Sequence, residues 1–274
     1  FASMLRIFFI PWFACLMLQA FAQPAIYSTA NAHSHNDYEQ SNPFYEAWNN
    51  GFGSIEADIF LQNNKLLVAH TTGELNDNRT LQSLYLDPLR KAVEMNHGYP
   101  YADSTKALQL LVDVKTDSVK TLDKLIEILN SYPSIISCSK IKIAISGNRP
   151  SPEAFGGYPS YIYFDGVLNE SYSSRALSKI IMLSDNFRHY STWQGTGSIA
   201  VKDYELLKQT IDKAHQLKKK VRFWNAPDNP DAWRILEGLH ADYINTDHIA
   251  ALANFLNRNI NNRAPENLSY LLPQ

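Results

Sequence analysis

Cysteine is nearly missing from this chain: 274 residues hold two, Cys15 and Cys138. Cys15 falls in an apolar N-terminal stretch, and Trp12-Phe13-Ala14 before it make a poor lipoprotein cleavage box. With that stretch set aside only Cys138 remains, so no intrachain disulfide can brace the fold and a packed core must hold it. A surplus of either charge is missing too. Lys and Arg number 25 against 27 Asp and Glu, a net of −2. No broad basic surface is left for nucleic-acid phosphates, so no nucleic-acid partner is expected, and an anionic substrate must be held by a local site. Gly/Ser linkers, blocks of like charge and repeats are also lacking, and no Gly-x-Gly-x-x-Gly turn follows any strand-like run. What is present is a 45% hydrophobic chain with 13 Phe, 15 Tyr and 5 Trp. That supplies ample apolar area for one large domain and excludes disorder.

The first residues read as an export signal. Arg6 follows Met4, Ile7 to Leu18 are almost unbroken in apolar character, and Ala20-Phe21-Ala22 place small residues before Gln23. The run is short of the ~20 apolar residues that span a bilayer; an uncleaved anchor is the alternative. The expectation is a signal peptide over residues 1–22, a secreted or periplasmic protein, and one mature domain over 23–274.

Beyond the leader, short β-branched runs alternate with segments of helical spacing. Strands are predicted over Thr29–Ser34, Ser54–Phe60, Gln109–Val114, Lys140–Ile145, Tyr161–Phe164, Lys179–Leu183, Lys220–Trp224 and Asp242–Asn245, with a short hairpin return over Lys65–His70. Helices are predicted over Thr80–Met95, Val119–Ser131, Asp203–Lys218 and Asp231–Leu239. Such alternation implies an α/β fold with a parallel sheet, because each parallel crossover needs a long connection. About eight units in ~250 residues fit a single-domain TIM (β/α)8 barrel. Functional residues should then lie at the C-terminal ends of strands. His33 and His35, Glu56 and Asp58, His70, Asp113 and Lys115, Arg149, Trp224 with Asn225, and Thr246-Asp247 all fall there.

In Ser54-Ile55-Glu56-Ala57-Asp58-Ile59-Phe60, alternation puts Glu56 and Asp58 on one face and Ile55 and Ile59 on the other. Two carboxylates in an apolar strand are costly unless a cation or shared proton compensates, and oxygen ligands suit Mg2+ or Ca2+. Asp113, inside Leu110-Leu111-Val112-Asp113-Val114, adds a third buried carboxylate. His35 and His70 flank the acidic pair; cleaving a phosphodiester needs a base and an acid, and imidazole serves as either near neutrality. Lys115, on the face of Asp113, and Arg149 are candidate phosphate contacts. A solvated surface cation is the competing account of each.

The segments His35-Asn36-Asp37, Glu56-x-Asp58 and Leu66-Leu67-Val68-Ala69-His70 resemble the core of glycerophosphodiester phosphodiesterases, within the phospholipase C-like phosphodiesterase superfamily of TIM barrels. Val112-Asp113-Val114-Lys115-Thr116 resembles the third-strand acid and lysine, in the form seen in sphingomyelinase D-type enzymes. Val221-Arg222-Phe223-Trp224-Asn225 resembles the tryptophan strand and Thr246-Asp247 the closing motif. The likeness spans His33 to about Ile249. It implies a metal-dependent phosphoric diester hydrolase acting on a glycerophosphodiester or related lipid-headgroup diester. His35 and His70 would be the acid–base pair, and Glu56, Asp58 and Asp113 would hold one Mg2+ or Ca2+. Lys115, Arg149, Trp224 and Asn36 would contact substrate, and a cyclic phosphate is a possible intermediate. The expected partners are that small diester and, peripherally, a membrane surface; the chain is expected to be a monomer. Asn36-Asp37 stand where the family usually has Arg-Gly, and its Glu-Asn-Thr segment is absent, which marks an atypical branch.

Two rivals remain at this level. His33-x-His35 also resembles the zinc motif of amidohydrolases, although no histidine follows Tyr161–Phe164 or Lys179–Leu183 directly, and His189 comes several residues late. A secreted barrel that only binds a headgroup is the other, with Trp193, Trp224 and Trp233 as stacking candidates.

Overall fold

The computed structural model describes residues 26–261, with side chains to 258. The export signal expected over 1–22 lies outside the described residues.

The strands are β1 (Ala32–Ser34), β2 (Ser54–Gln62), β3 (Lys65–Val68), β4 (Leu108–Val114), β5 (Ile141–Gly147), β6 (Ile162–Val167), β7 (Ile180–Asn186), β8 (Lys220–Trp224) and β9 (Ile244–Thr246). All but β3 are parallel, in the order β8-β7-β6-β5-β4-β2-β1-β9, and β3 pairs back antiparallel on β2 as the expected hairpin return. A bridge between Arg222 and Tyr243 joins β8 to β9 and brings the sheet round into a nearly closed barrel. The helices are α1 (Tyr45–Asn49), α2 (Asp87–Met95), α3 (Ser118–Leu129), α4 (Pro133–Ile136), α5 (Ser174–Leu177), α6 (Val201–Gln216), α7 (Pro230–Gly238) and α8 (Ile249–Asn261). The TIM-barrel expectation holds.

Strand alternation builds two cores. Ile55, Ala57 and Ile59 of β2 and Leu110, Val112 and Val114 of β4 are buried outside the barrel wall, in one cluster with Leu122, Leu125 and Leu129 of α3. Asp117 caps α3 by accepting a hydrogen bond from the Lys120 amide (2.9 Å). Inside the barrel, Leu111, Ala144, Met182 and Tyr243 form a separate apolar plug.

Several boundaries differ from expectation, each for a local reason. Residues 29–31 form a capped 3-10 turn, because Ser28 and Asn31 bond each other's backbone, so β1 begins only at Ala32. Asp242 does not open β9. Its carboxylate takes the Val221 amide (2.8 Å) and His215 (2.8 Å), and the strand starts at Ile244. The helix predicted over Thr80–Met95 is π-like at Gln82–Leu86 before α2 begins. Pro88 has no N–H to close an ordinary turn, and the Asp87 amide reaches Gln82 instead. Between β5 and β6 there is only the 3-10 segment Pro152–Gly157, where Pro150, Pro152, Gly156 and Gly157 oppose a helix.

Candidate functional site

The site grows from the register of β2 and β4. That register sets Asp58 directly beside Asp113, two like charges on adjacent strands. Unaided, such a pair repels. Lys115 answers it: its Nζ lies 2.9 Å from Asp58 Oδ2 and 2.9 Å from Asp113 Oδ1. Burial alone would lower the Lys115 pKa, but Asp113 and Asp58 outweigh it and keep the ammonium charged. Ser146 Oγ donates to Asp113 Oδ2 (3.0 Å). Gly147 has φ +66°, and a Cβ there would come within 2.5 Å of Asp113 Oδ1, so the backbone closes on the carboxylate as only glycine allows.

Deeper in the barrel lies Glu56, with an arginine the sequence reading did not assign. Arg222 projects from β8, across the barrel from β2, and its Nη1 donates to Glu56 Oε2 at 2.8 Å. His33, fully buried, meets Ser54 Oγ through Nδ1 (2.8 Å) and the Glu56–Arg222 pair through Nε2 (2.8 and 2.6 Å). Burial, with help from Arg222, lowers the His33 pKa to about 4, so this imidazole is neutral. Burial would raise the Glu56 carboxyl, but Arg222 and His33 hold it well below the ordinary range. Arg222 also lies 3.8 Å from Asp165 on β6, which accepts from Ser184 Oγ at 2.5 Å. Burial still raises Asp165 to about 6.

At the cleft surface, His35 Nδ1 pairs with Asp247 Oδ1 (2.8 Å), just beyond β9. Burial lowers the His35 pKa, but Asp247 and Glu56 outweigh it and the net shift is upward. Its Nε2 faces Glu56 Oε1 at 4.0 Å. His70, half exposed, meets the Tyr38 hydroxyl through Nδ1 (3.0 Å), and that hydroxyl donates to Asp58 Oδ2 (2.8 Å). Asn36, in left-handed conformation at φ 45°, sets its Oδ1 2.9 Å from the same hydroxyl. Asp37 takes no part in the cleft. It is buried on Ser34, Tyr85 and the Phe44 amide, and burial raises it to about 6.

The nine residues given catalytic, metal or substrate roles line one cavity of about 360 Å³ at the C-terminal mouth: His35, His70, Glu56, Asp58, Asp113, Lys115, Arg149, Trp224 and Asn36; His33, Asn225, Thr246 and Asp247 do not line it. Arg149 donates to the Asp165 carbonyl and Trp224 stands at the rim, 39% exposed. The cavity adds Asp165, Ser184, Asp185 and Arg222, which had been passed over. The signal for Arg222 was available, a charge between the apolar Val221 and Phe223 on the face of Trp224.

Among the described residues, Glu56, Asp58 and Asp113 form the group able to hold a metal ion, with one oxygen from each within 4.8 Å of the others. Asp58 Oδ1 is buried without a hydrogen-bond partner. Burial first, then Glu56 and Asp113, raise its carboxyl to about 6 despite Lys115. An orphaned, buried oxygen among three carboxylates fits a hard divalent cation. Among the described residues the geometry offers no histidine pair for zinc. His33 has both ring nitrogens engaged, and His189 is an exposed partner of Asp185.

The chain matches two family models, the AIM6-like phosphodiesterase domain over residues 25–134 and the glycerophosphoryl diester phosphodiesterase family over residues 220–250. Over those two segments the chain is similar to glycerophosphodiester phosphodiesterase-like proteins. Its relatives include "Altered inheritance of mitochondria protein 6" of Eremothecium gossypii, 28% identical over 267 residues, or 81% of this chain and 68% of that protein. The homolog from Arthroderma benhamiae is 28% identical over 260 residues, 78% and 81% of the two chains. The barrel shares its fold with a crystal structure of a glycerophosphodiester phosphodiesterase from Parabacteroides distasonis. There the TM-score is 0.53 at 14% identity, covering 84% of this chain and 98% of the other.

Proposed function

We propose that this chain hydrolyses a small phosphodiester, a glycerophosphodiester or related lipid-headgroup diester, with His35 and His70 as acid and base and a divalent cation on Glu56, Asp58 and Asp113. The observation that carries this reading is the clustering of those carboxylates between two imidazoles in a cleft that also holds Lys115 and Arg149. Mg2+ or Ca2+ bound there would neutralise charge on the phosphoryl oxygens.

The chain's own residues divide the remaining work. Asp247 accepts a hydrogen bond from His35 Nδ1–H and leaves Nε2 facing the cleft, and the raised pKa favours the protonated ring. His35 is thus set to protonate the departing alkoxide. His70, oriented through Nδ1 by Tyr38, presents Nε2 to accept a proton from the attacking hydroxyl, whether water or a hydroxyl of the substrate that closes a cyclic phosphate. Lys115 and Arg149, both lining the cleft, hold the phosphate. Arg222 stays below as the fixed counter-charge of Glu56.

Phosphorus NMR of products from a panel of phosphodiesters tests the proposal and separates open from cyclic products. Turnover should require Mg2+ or Ca2+ after EDTA treatment and fall at least about a hundredfold in His35→Ala or His70→Ala. Retained activity in the double variant would overturn the acid–base assignment. Export as a monomer after loss of residues 1–22 belongs to the same proposal; N-terminal sequencing and sedimentation of secreted material would decide it.

A further inference from the structure

A second cavity, of about 390 Å³, opens at the opposite end of the barrel. Its lining comes from the N-terminal ends of strands: Gly53 before β2, Leu108 and Gln109 of β4, Lys142 of β5, Lys220 of β8 and Tyr243 before β9. In barrels of this kind that end ordinarily carries only stability. Here it carries cations. Lys106, Lys142 and Lys220 line it against one acid, Asp103, and none of these lysines forms an ion pair among the described residues. Lys142 and Lys220 set their ammonium groups over the rings of Tyr163 (5.1 Å) and Tyr243 (4.6 Å), and Lys220 Nζ also donates to the Tyr243 hydroxyl (2.9 Å), so Lys106 and Lys142 carry the charge most open to an anion. Asp103 is occupied by Thr105, whose amide and hydroxyl both donate to it (2.9 and 2.6 Å).

The floor of this cavity supplies an independent sign. Gln109 is 2% exposed, and its Oε1 is buried with no hydrogen-bond partner. Its amide nitrogen is committed to Ser54 Oγ (3.0 Å), which in turn meets His33, so the orphan is the acceptor. A buried carbonyl oxygen without a donor is costly, and a ligand hydroxyl would satisfy it. Cations at the rim and an unmet acceptor at the floor call for an anion that also carries a hydroxyl donor.

We infer that the N-terminal mouth of the barrel is a second binding site, for a hydroxyl-bearing phosphomonoester. The site is separate from the catalytic cleft, and the inference stands whether or not the proposed hydrolysis is correct. Calorimetric titration of the full chain with glycerol 3-phosphate tests it. Affinity should fall roughly tenfold or more in Lys142→Gln and in Lys106→Glu, the effect of losing one charge-assisted hydrogen bond, and stay unchanged in His70→Ala. Thermal unfolding confirms that each variant is folded. Binding that ignores Lys142 and Lys106, or that disappears in His70→Ala, would place the ligand in the catalytic cleft and overturn the inference. Co-sedimentation with phosphatidic-acid vesicles, against phosphatidylcholine alone, identifies the source. Lys142-dependent capture of vesicles without soluble binding assigns the same chemistry to a lipid headgroup. Binding in neither arm refutes the site.

Discussion

Replacing Arg222 with methionine probes the electrostatic centre of the cleft. Arg222 is 4% exposed; its Nη1 is 2.8 Å from Glu56 Oε2 and its Nη2 3.8 Å from Asp165 Oδ2. Methionine keeps the unbranched stem, so the substitution removes charge with little loss of packing. Glu56 is then left with His33, which is neutral, as its nearest aid, while Asp165 keeps the Ser184 hydroxyl. Breaking one side of a buried pair costs about 3–5 kcal/mol, against a total stability of ~5–15 kcal/mol. At roughly 2–4 °C per kcal/mol for a domain of this size, Tm should fall by about 6–20 °C. Glu56→Gln added to Arg222→Met should restore more than 1 kcal/mol of that loss, since it removes the stranded charge. The pH dependence gives a second check. Glu56 titrates below its unfolded value, so its contribution is present above the ordinary carboxylate range and is lost as pH falls through the folded pKa. That acid-side loss should vanish in Arg222→Met. Guanidinium denaturation of the four members of the cycle is the assay. If Arg222→Met is as stable as the parent, or the two changes add within about 0.5 kcal/mol, the pair is not what steadies Glu56.

Three further outcomes are expected. Mg2+ or Ca2+ should raise Tm, by about 2.7 kcal/mol of stability at a hundred times Kd. Because the folded Asp58 carboxyl is raised to about 6, protons compete with the ion below that pH, and the gain should shrink between pH 7.5 and 5 and largely disappear in Asp58→Asn; a Tm blind to both ions would remove the metal role. Asp247→Asn should lower the His35 pKa and shift the alkaline limb of the pH–rate profile to lower pH, because the acid loses the partner that outweighs its burial; an unmoved limb would mean that His35 does not titrate in that role. Gly147→Ala should cost roughly 1–3 kcal/mol in denaturant unfolding, given φ +66° and contacts of 2.5 Å to Asp113 Oδ1 and the Val114 carbonyl; an unchanged midpoint would show that this turn is free to move.

The barrel was legible because its grammar is local. Alternation in Ser54–Phe60 separates Glu56 and Asp58 from Ile55 and Ile59 without reference to any other strand. Strand ends could be collected one by one, and that brought His35, His70, Asp113, Lys115 and Arg149 to one mouth. What stayed hidden depends on pairs across the barrel. Arg222 gains its meaning from Glu56, 166 residues earlier, and no spacing rule links strands that are not neighbours. Tyr38 carries no signal on its own, since its hydroxyl matters only where Asp58 and His70 converge. Element boundaries slipped where side chains replaced backbone partners, as with Ser28 and Asn31 before β1 and Asp242 before β9.

The contact between His35 and Asp247 links positions 212 residues apart, the first strand's end to the last. β9 is held to β1 by three residue pairs and to β8 by a single bridge at Tyr243, so the strand that carries Asp247 at its end closes the ring at its thinnest joint. A chain whose last strand has not docked leaves His35 unoriented even when every other wall is in place. If His35 acts as proposed, activity should be lost on warming before the main cores on either side of the wall open to solvent, because its orientation hangs on the last strand.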